Sequence, residues 1–250
     1  MILIKLGGSV LTNKEKSYSF RTRTAKRLLK EIKESTIEKY IIIHGGGSFG
    51  HPGAKKYELN DKDSEPTGEG LSKVQLDMRR MNNHFLELMQ EKEMWGVSIP
   101  GGLVTSFKDG ELNKIDKSIF KKYLSLDVTP VGFGDVTLDI EKGITICSGD
   151  DIVLGLSSLA DKAVFVSDVD GIYKQGEVVK IFKRGMYPLE EDDFPSKKNA
   201  VDVTGGMNRK VEKMLRISKD CETHVVNGEE SGRLRKVLDG EEVISTEVTT

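Results

Sequence analysis

The stretch that most limits what this chain can fold into is Tyr40 to His51, YIIIHGGGSFGH, where an apolar run ends in three glycines, a serine and a histidine. Tyr40 to Ile43 suits a short strand covered on both faces. Gly45, Gly46 and Gly47 carry no Cβ, so they tolerate positive φ and let backbone N–H groups converge on an anion. His51 falls four residues past Gly47, within reach of whatever the loop holds. A tight strand-to-helix turn with a surface histidine explains the same residues equally well, and the remainder of the chain has to decide.

Composition narrows the partners. The 250 residues hold 38 Lys plus Arg against 40 Asp plus Glu, a net charge of −2 with the signs interspersed, which argues against nucleic acid. Only Cys147 and Cys221 are present, so no disulfide framework is implied and a reducing compartment is the default. Met1 runs directly into Ile2-Leu3-Ile4 with no basic leader, and no apolar run reaches the roughly 18 residues of a membrane span. A soluble, unexported, cytoplasmic protein with no membrane partner is expected.

Ile2 to Leu6 reads as a first buried strand, with Lys5 near its end and Gly7-Gly8-Ser9 immediately after. This is a second strand feeding a glycine loop. Lys14 follows in the polar segment Thr12 to Ser19 and reads by composition as a solvated loop lysine. Ala25, Leu28, Leu29 and Ile32 form one face of a helix from about Thr22 to Glu34. Strand, helix, strand with a short return is a βαβ unit, so the first two strands are parallel and their glycine loops face one crevice.

Asn60 to Gly70 is charged and rich in turn residues, and reads as a mobile loop. Ser72 with Gln75 has the form of a capping box opening a long helix. Its apolar stripe of Leu71, Val74, Met78, Met81, Phe85 and Leu88 reads first as core packing; two methionines also suit the lining of an apolar pocket. Val97 to Ile99 is a short strand, and Asp109-Gly110 and Glu141-Lys142-Gly143 mark two hairpins. Lys117 to Leu126 is a short helix. Thr129 to Phe133 reads as a strand ending in glycines, and Ile144 to Cys147 leads into Ser148-Gly149-Asp150-Asp151, a helix start. The dipole explains Asp151; Asp150, directly after Gly149, is equally a functional candidate.

Ala163 to Ser167 is a further buried strand ending in Asp168-Val169-Asp170-Gly171-Ile172-Tyr173, and Gln175-Gly176 reads as a hairpin tip. Arg184 to Ala200 reads as polar and irregular. Thr204-Gly205-Gly206-Met207 then opens a helix carrying Lys210, an anion site by its exposed N–H groups. His224 to Val226 reads as the last strand and Gly232 to Leu238 as the last helix. Several loops bearing glycine, hydroxyl, lysine or aspartate thus fall at the carboxyl ends of parallel strands, where open α/β sheets bind ligands.

Taken together and in order, IKLGGSV, HGGGSFGH, SGDD, SDVDGIY and DVTGGMNRK resemble the amino acid kinase superfamily, nearly end to end. Within it, His51 closing the second glycine loop and Lys14 downstream of the first resemble the isopentenyl phosphate kinases. The resemblance implies one α/β domain over residues 1–250, a three-layer α/β/α sandwich with a mainly parallel open sheet and added β-hairpins. About 1–160 would bind the acceptor and about 161–250 ATP. Lys5, Gly7, Gly8, Ser9 and Gly47 would cradle the transferring phosphates, with Asp168, Asp170, Gly171, Tyr173, Gly205, Gly206 and Lys210 at the nucleotide. Gly45, Gly46, His51, Gly149 and Asp150 would serve the phosphate of the acceptor, isopentenyl phosphate. Val74, Met78 and Met81 would line its tail, with Phe85 beyond them and Val131 and Ile140 opposite.

Lys5, Lys14, His51, Asp150 and Lys210 would be catalytic, with ATP and Mg²⁺ as cofactors, no protein metal ligands, and a homodimer by analogy. The Walker A string is absent. Rival readings are a kinase for another phosphate or phosphonate, of the fosfomycin or uridylate type, and a nucleotide-binding protein without chemistry.

Overall fold

The computed structural model describes residues 1–13, 15–59, 67–190, 193 and 197–250, apart from the side chains of 197–205. Strand β1 (Ile2–Leu6) leads through α1 (Gly8–Leu11) and α2 (Thr22–Lys33) to β2 (Tyr40–His44). Helices α3 (Gly47–Lys56) and α4 (Gly68–Gln90) follow, then β3 (Gly96–Pro100) and the single turn α5 (Gly101–Val104). Strands β4 (Thr105–Lys108) and β5 (Glu111–Ile115), helix α6 (Lys117–Leu124), and strands β6 (Thr129–Phe133), β7 (Asp135–Asp139) and β8 (Gly143–Cys147) complete the first part. Helix α7 (Gly149–Leu156) precedes β9 (Lys162–Ser167) and the short strands β10 (Tyr173–Lys174), β11 (Glu177–Val178) and β12 (Ile181–Lys183). Helix α8 (Lys197–Ile217), β13 (Glu222–Asn227), α9 (Arg233–Asp239) and β14 (Ser245–Thr249) close the chain.

Eight strands make one sheet in the order β12-β14-β13-β9-β1-β2-β6-β3. Every neighbouring pair is parallel except β13 with β14. Strand β1 sits in the middle, so Lys5 stands beside Ile43 of β2 and Phe165 of β9. Alternation along the strands supplies two cores, one per face. Leu3, Ile41 and Ile43 pack with Ile152, Leu156 and Val211 on one side. Ile4, Leu6 and Ile42 pack with Leu28, Met81 and Phe85 on the other. The architecture is therefore the expected three-layer α/β sandwich, with β5-β4-β7-β8 as an added four-stranded sheet.

The expected hairpins form. Asp109 and Gly110 take φ of 51° and 80°, and Gln175 and Gly176 take 53° and 81°, the left-handed pair that a two-residue hairpin loop needs.

Three expectations are corrected. Helix α4 begins at Gly68, capped by the Thr67 hydroxyl, which accepts from the Gly70 N–H; Ser72 and Gln75 lie inside it and cap nothing. Helix α8 begins at Lys197 rather than at Thr204. A strand missing from the sequence reading, β14, pairs with both β13 and β12. Of the segment 60–70, residues 60–66 lie outside those described. Among the described residues, no helix is long and apolar enough to cross a membrane.

Candidate active site at the carboxyl ends of the central strands

The two glycine loops meet backbone to backbone. A Cβ on Gly8 would stand 2.5 Å from the Gly47 nitrogen, and one on Gly45 would stand 2.9 Å from the Gly8 nitrogen; the absence of side chains is what brings α1 and α3 end to end. Gly7 N–H donates to the Val166 carbonyl at 2.8 Å and Gly45 N–H to the Leu6 carbonyl at 3.0 Å, anchoring each loop to a neighbouring strand. Thr12 clasps them: its hydroxyl donates to the Gly8 carbonyl at 2.7 Å and accepts from Ser48 N–H at 2.9 Å. The N–H groups of Gly8, Ser9, Gly46 and Gly47 have no acceptor among the described residues, as first-turn donors do until a ligand or water takes them.

Lys5 forms the floor. Its Nζ lies 2.9 Å from Asp150 Oδ1, with both side chains nine-tenths buried. Burial pushes the Asp150 carboxyl up, but the charges of Lys5, Lys210 and Lys213 outweigh it and hold the group below the usual carboxylate range. Asp150 and Asp151 open α7 in a capping box, in which Ser148 Oγ accepts from Asp151 N–H while Asp151 accepts from Ser148. Gly149 lets this helix start approach β2, since a Cβ there would be 3.3 Å from the His44 carbonyl oxygen. Lys213 pairs with Asp151 at 2.5 Å and so docks α8 on α7. Sequence reasoning missed Lys213; its one signal was a position three residues past Lys210, on the same helix face. Lys210 is exposed, near enough for its charge to act on Asp150.

The β9 loop divides in role. Asp168 accepts from Ser9 Oγ at 2.7 Å and so joins the first glycine loop. Asp170 is engaged by β13 and α9: Asn227 donates to it at 2.9 Å and Arg233 pairs with it. These bonds, Asn227 first, hold its carboxyl below the ordinary range. A Cβ on Gly171 would overlap the Thr246 hydroxyl, so this glycine is required by packing against β14. Tyr173 is half-buried in the β10–β11 hairpin. Gly205 and Gly206 lie in the third turn of α8, where main-chain N–H groups are spent within the helix. The expectation that they start a helix is not met.

His51 lies on α3 one turn after Gly47 and is exposed. Side chains on a helix lean toward its N-terminus, the end of α3 at which Gly46 and Gly47 sit. Val74 and Met78 pack beneath α3, with Met78 Sδ 2.9 Å from a Cβ placed on Gly46 and Val74 Cγ2 2.8 Å from one on Gly53. They belong to a small cluster with Leu59, Phe133 and Val136. Met81 is not with them: it is fully buried in the main core with Phe85 and Val131, and Ile140 is 64% exposed. Lys14 lies outside the described residues. Two surface depressions, of about 430 and 440 Å³, are lined by none of the glycine-loop residues.

Two abutting helix starts with unspent N–H groups, floored by a buried lysine, have the donors and the positive charge that a phosphate group takes. The sequence profile of the amino acid kinase family matches residues 1–227, and the chain belongs to that family of phosphotransferases. It is 35% identical to isopentenyl phosphate kinase of Methanocaldococcus jannaschii over 99% of this chain and 98% of that one. It is 29% identical to that of Methanothermobacter thermautotrophicus over 100% and 99%. A solved structure of isopentenyl phosphate kinase superposes with a TM-score of 0.84, at 25% identity over the full length of both chains. A Thermoplasma acidophilum isopentenyl phosphate kinase product complex superposes at 0.79, with 28% identity over 99% of each.

Proposed function

We propose that the protein transfers the γ-phosphoryl group of ATP to isopentenyl phosphate, giving isopentenyl diphosphate. The observation that carries this is the pair of glycine loops fused at Gly8 and Gly47, which would offer one crevice to two phosphate groups. Joining two anions requires neutralisation before anything else. A phosphate monoester is already an oxyanion at neutral pH, so no strong base is needed. Lys5 and Lys210 would hold the transferring oxygens, with Lys14 as a third cation, and Asp150 would keep the cations from splaying. Gly46 and His51 would bind the acceptor's phosphate, with Gly47 beside the transferring phosphates, and the side of the crevice formed by Asp168 and α8 would take ATP. This divides the chain at about residue 160. Val74 and Met78 would meet the five-carbon tail, at about 0.8 kcal/mol per buried CH₂.

Mg²⁺ would arrive on the nucleotide's phosphates. Among the described residues no three His, Cys, Asp or Glu side chains are grouped to hold a metal ion, and Asp150 is already engaged by Lys5. No step of the reading passes through a protein-bound metal. A cytoplasmic homodimer accompanies the proposal by analogy. Incubating the protein with ATP and, separately, isopentenyl phosphate, UMP, fosfomycin, acetylglutamate and carbamate tests it: turnover of isopentenyl phosphate well above the others is expected, and preference for any other acceptor overturns it.

A further inference from the structure

The second glycine loop is preceded by a residue that the reading above leaves idle. His44 ends β2 with its side chain wholly buried, stacked on Phe133 at 5.2 Å and 10° and tilted against Phe85 at 5.6 Å. Nε2 lies 3.1 Å from Asn82 Nδ2, and Nδ1 lies 3.2 Å from the carbonyl oxygen of Gly45. An amide nitrogen only donates, so Nε2 accepts and the ring proton sits on Nδ1, donating to Gly45. Turning the Asn82 amide over would place protons on both ring nitrogens, and burial opposes that charge, bringing the imidazole down to about 4. The arrangement leaves Asn82 Oδ1 buried without a hydrogen-bond partner, so the core tolerates an unpaired polar atom in order to keep this contact.

The consequence follows from peptide planarity. In a trans peptide the carbonyl oxygen and the next N–H point to opposite sides. Drawing the Gly45 oxygen toward the ring therefore turns the Gly46 N–H away from it, and that N–H has no acceptor among the described residues. We propose that His44, keyed by Asn82, is a positioning residue that sets the Gly45–Gly46 peptide plane and so presents the Gly46 amide to the acceptor's phosphate. The proposal rests on the reading that this loop holds the acceptor.

A histidine that merely fills the core would give a different pattern of variants. His44→Phe keeps the stacking and removes the donor. It should raise KM for isopentenyl phosphate about tenfold, the loss of roughly one hydrogen bond, with KM for ATP unchanged. Adding Asn82→Leu removes the stranded amide and should restore the melting temperature without restoring the acceptor KM. His44→Asn, which keeps a nitrogen donor near the Nδ1 position, should hold KM within about threefold of wild type. Recovery of KM together with melting temperature in the double variant, or equal rises in both KM values, overturns the proposal. If His44→Phe alone does not fold, the double variant carries the comparison. The wild-type assay separates the two claims: no turnover of isopentenyl phosphate overturns the acceptor assignment, whereas turnover with an unchanged KM in the variants overturns only the role of His44.

Discussion

Lys5 Nζ and Asp150 Oδ1 face each other at 2.9 Å across the junction of β1 and α7, tying the centre of the sheet to the helix that starts over β2. Lys5→Met leaves the Asp150 carboxylate buried beside weaker partners. Turnover should fall by about 100- to 1,000-fold, the scale of one lost transition-state donor. Removing the leading opposing charge should also move the Asp150 carboxyl upward, so the residual activity should lose its acid limb at a higher pH than in wild type. A pH–rate profile in which that limb does not move would show that Lys5 does not set the charge of Asp150.

Gly47 has φ of 46°, and a Cβ there would overlap the Thr12 hydroxyl, so no rotation of a neighbour can make room while the clasp holds. Gly47→Ala should cost about 1–2 kcal/mol for the left-handed conformation alone and should abolish turnover by parting the loops. Gly68→Ala is the control, because nothing lies within 4 Å of a Cβ there. It should leave turnover unchanged and the melting temperature equal or higher. Activity of Gly47→Ala within a few-fold of wild type would refute the back-to-back packing as a requirement.

His51→Ala should lower kcat/KM with isopentenyl phosphate by about 100-fold, the magnitude of a lost donor to an oxyanion, and His51→Gln should recover part of it. Because the proposed role is a hydrogen bond to phosphate rather than proton abstraction, replacing the acceptor with one of lower pKa should not rescue His51→Ala. A rate unchanged by the alanine would remove this residue from the site.

Much of this site could be read along the chain because its chemistry is written in glycine. Gly45 to Gly47 and Gly7-Gly8 each follow a short buried strand, and Asp109-Gly110 and Gln175-Gly176 sit where only left-handed residues close a hairpin. What escaped depends on pairing across the fold. Lys213 and Asp151 are 62 positions apart, and no local pattern couples them. His44, between the expected strand Tyr40 to Ile43 and the glycines, drew no reading of its own, and only α4, arriving with Asn82, gives it the role proposed above. Ser72 mimicked a helix start because its spacing matched a capping box, while Thr67 took the cap one turn earlier. Strand β14 is short and alternates weakly, with Thr246 and Val248 inward, so its existence rests on the neighbours it pairs with. The start of α8 at Lys197 has no apolar periodicity to announce it.

Two buried groups near the site titrate in opposite senses over the same pH range. Burial brings His44 from 6.5 down to about 4, so the unfolded chain takes up a proton there before the folded one does; the stability this contributes is present above 6.5 and lost as pH falls toward 4. Burial pushes Asp135 from 3.8 up to about 6, against partial opposition from Arg79 at 3.3 Å, so its contribution is present below 3.8 and lost as pH rises through 6. Each shift corresponds to something on the order of 3 kcal/mol, and in the wild type the two slopes largely offset between 4 and 6. Asp135→Asn removes one of them. Relative to wild type, the variant should gain stability as pH rises from 4 to 7 and should lose it more steeply on acidification, as His44 acts unopposed. Denaturant unfolding of both proteins at pH 4.5, 5.5, 6.5 and 7.5 measures this directly. Parallel curves would mean that Asp135 is as readily ionised in the folded chain as in the unfolded one, and that its pairing with Arg79 fully offsets the cost of burial.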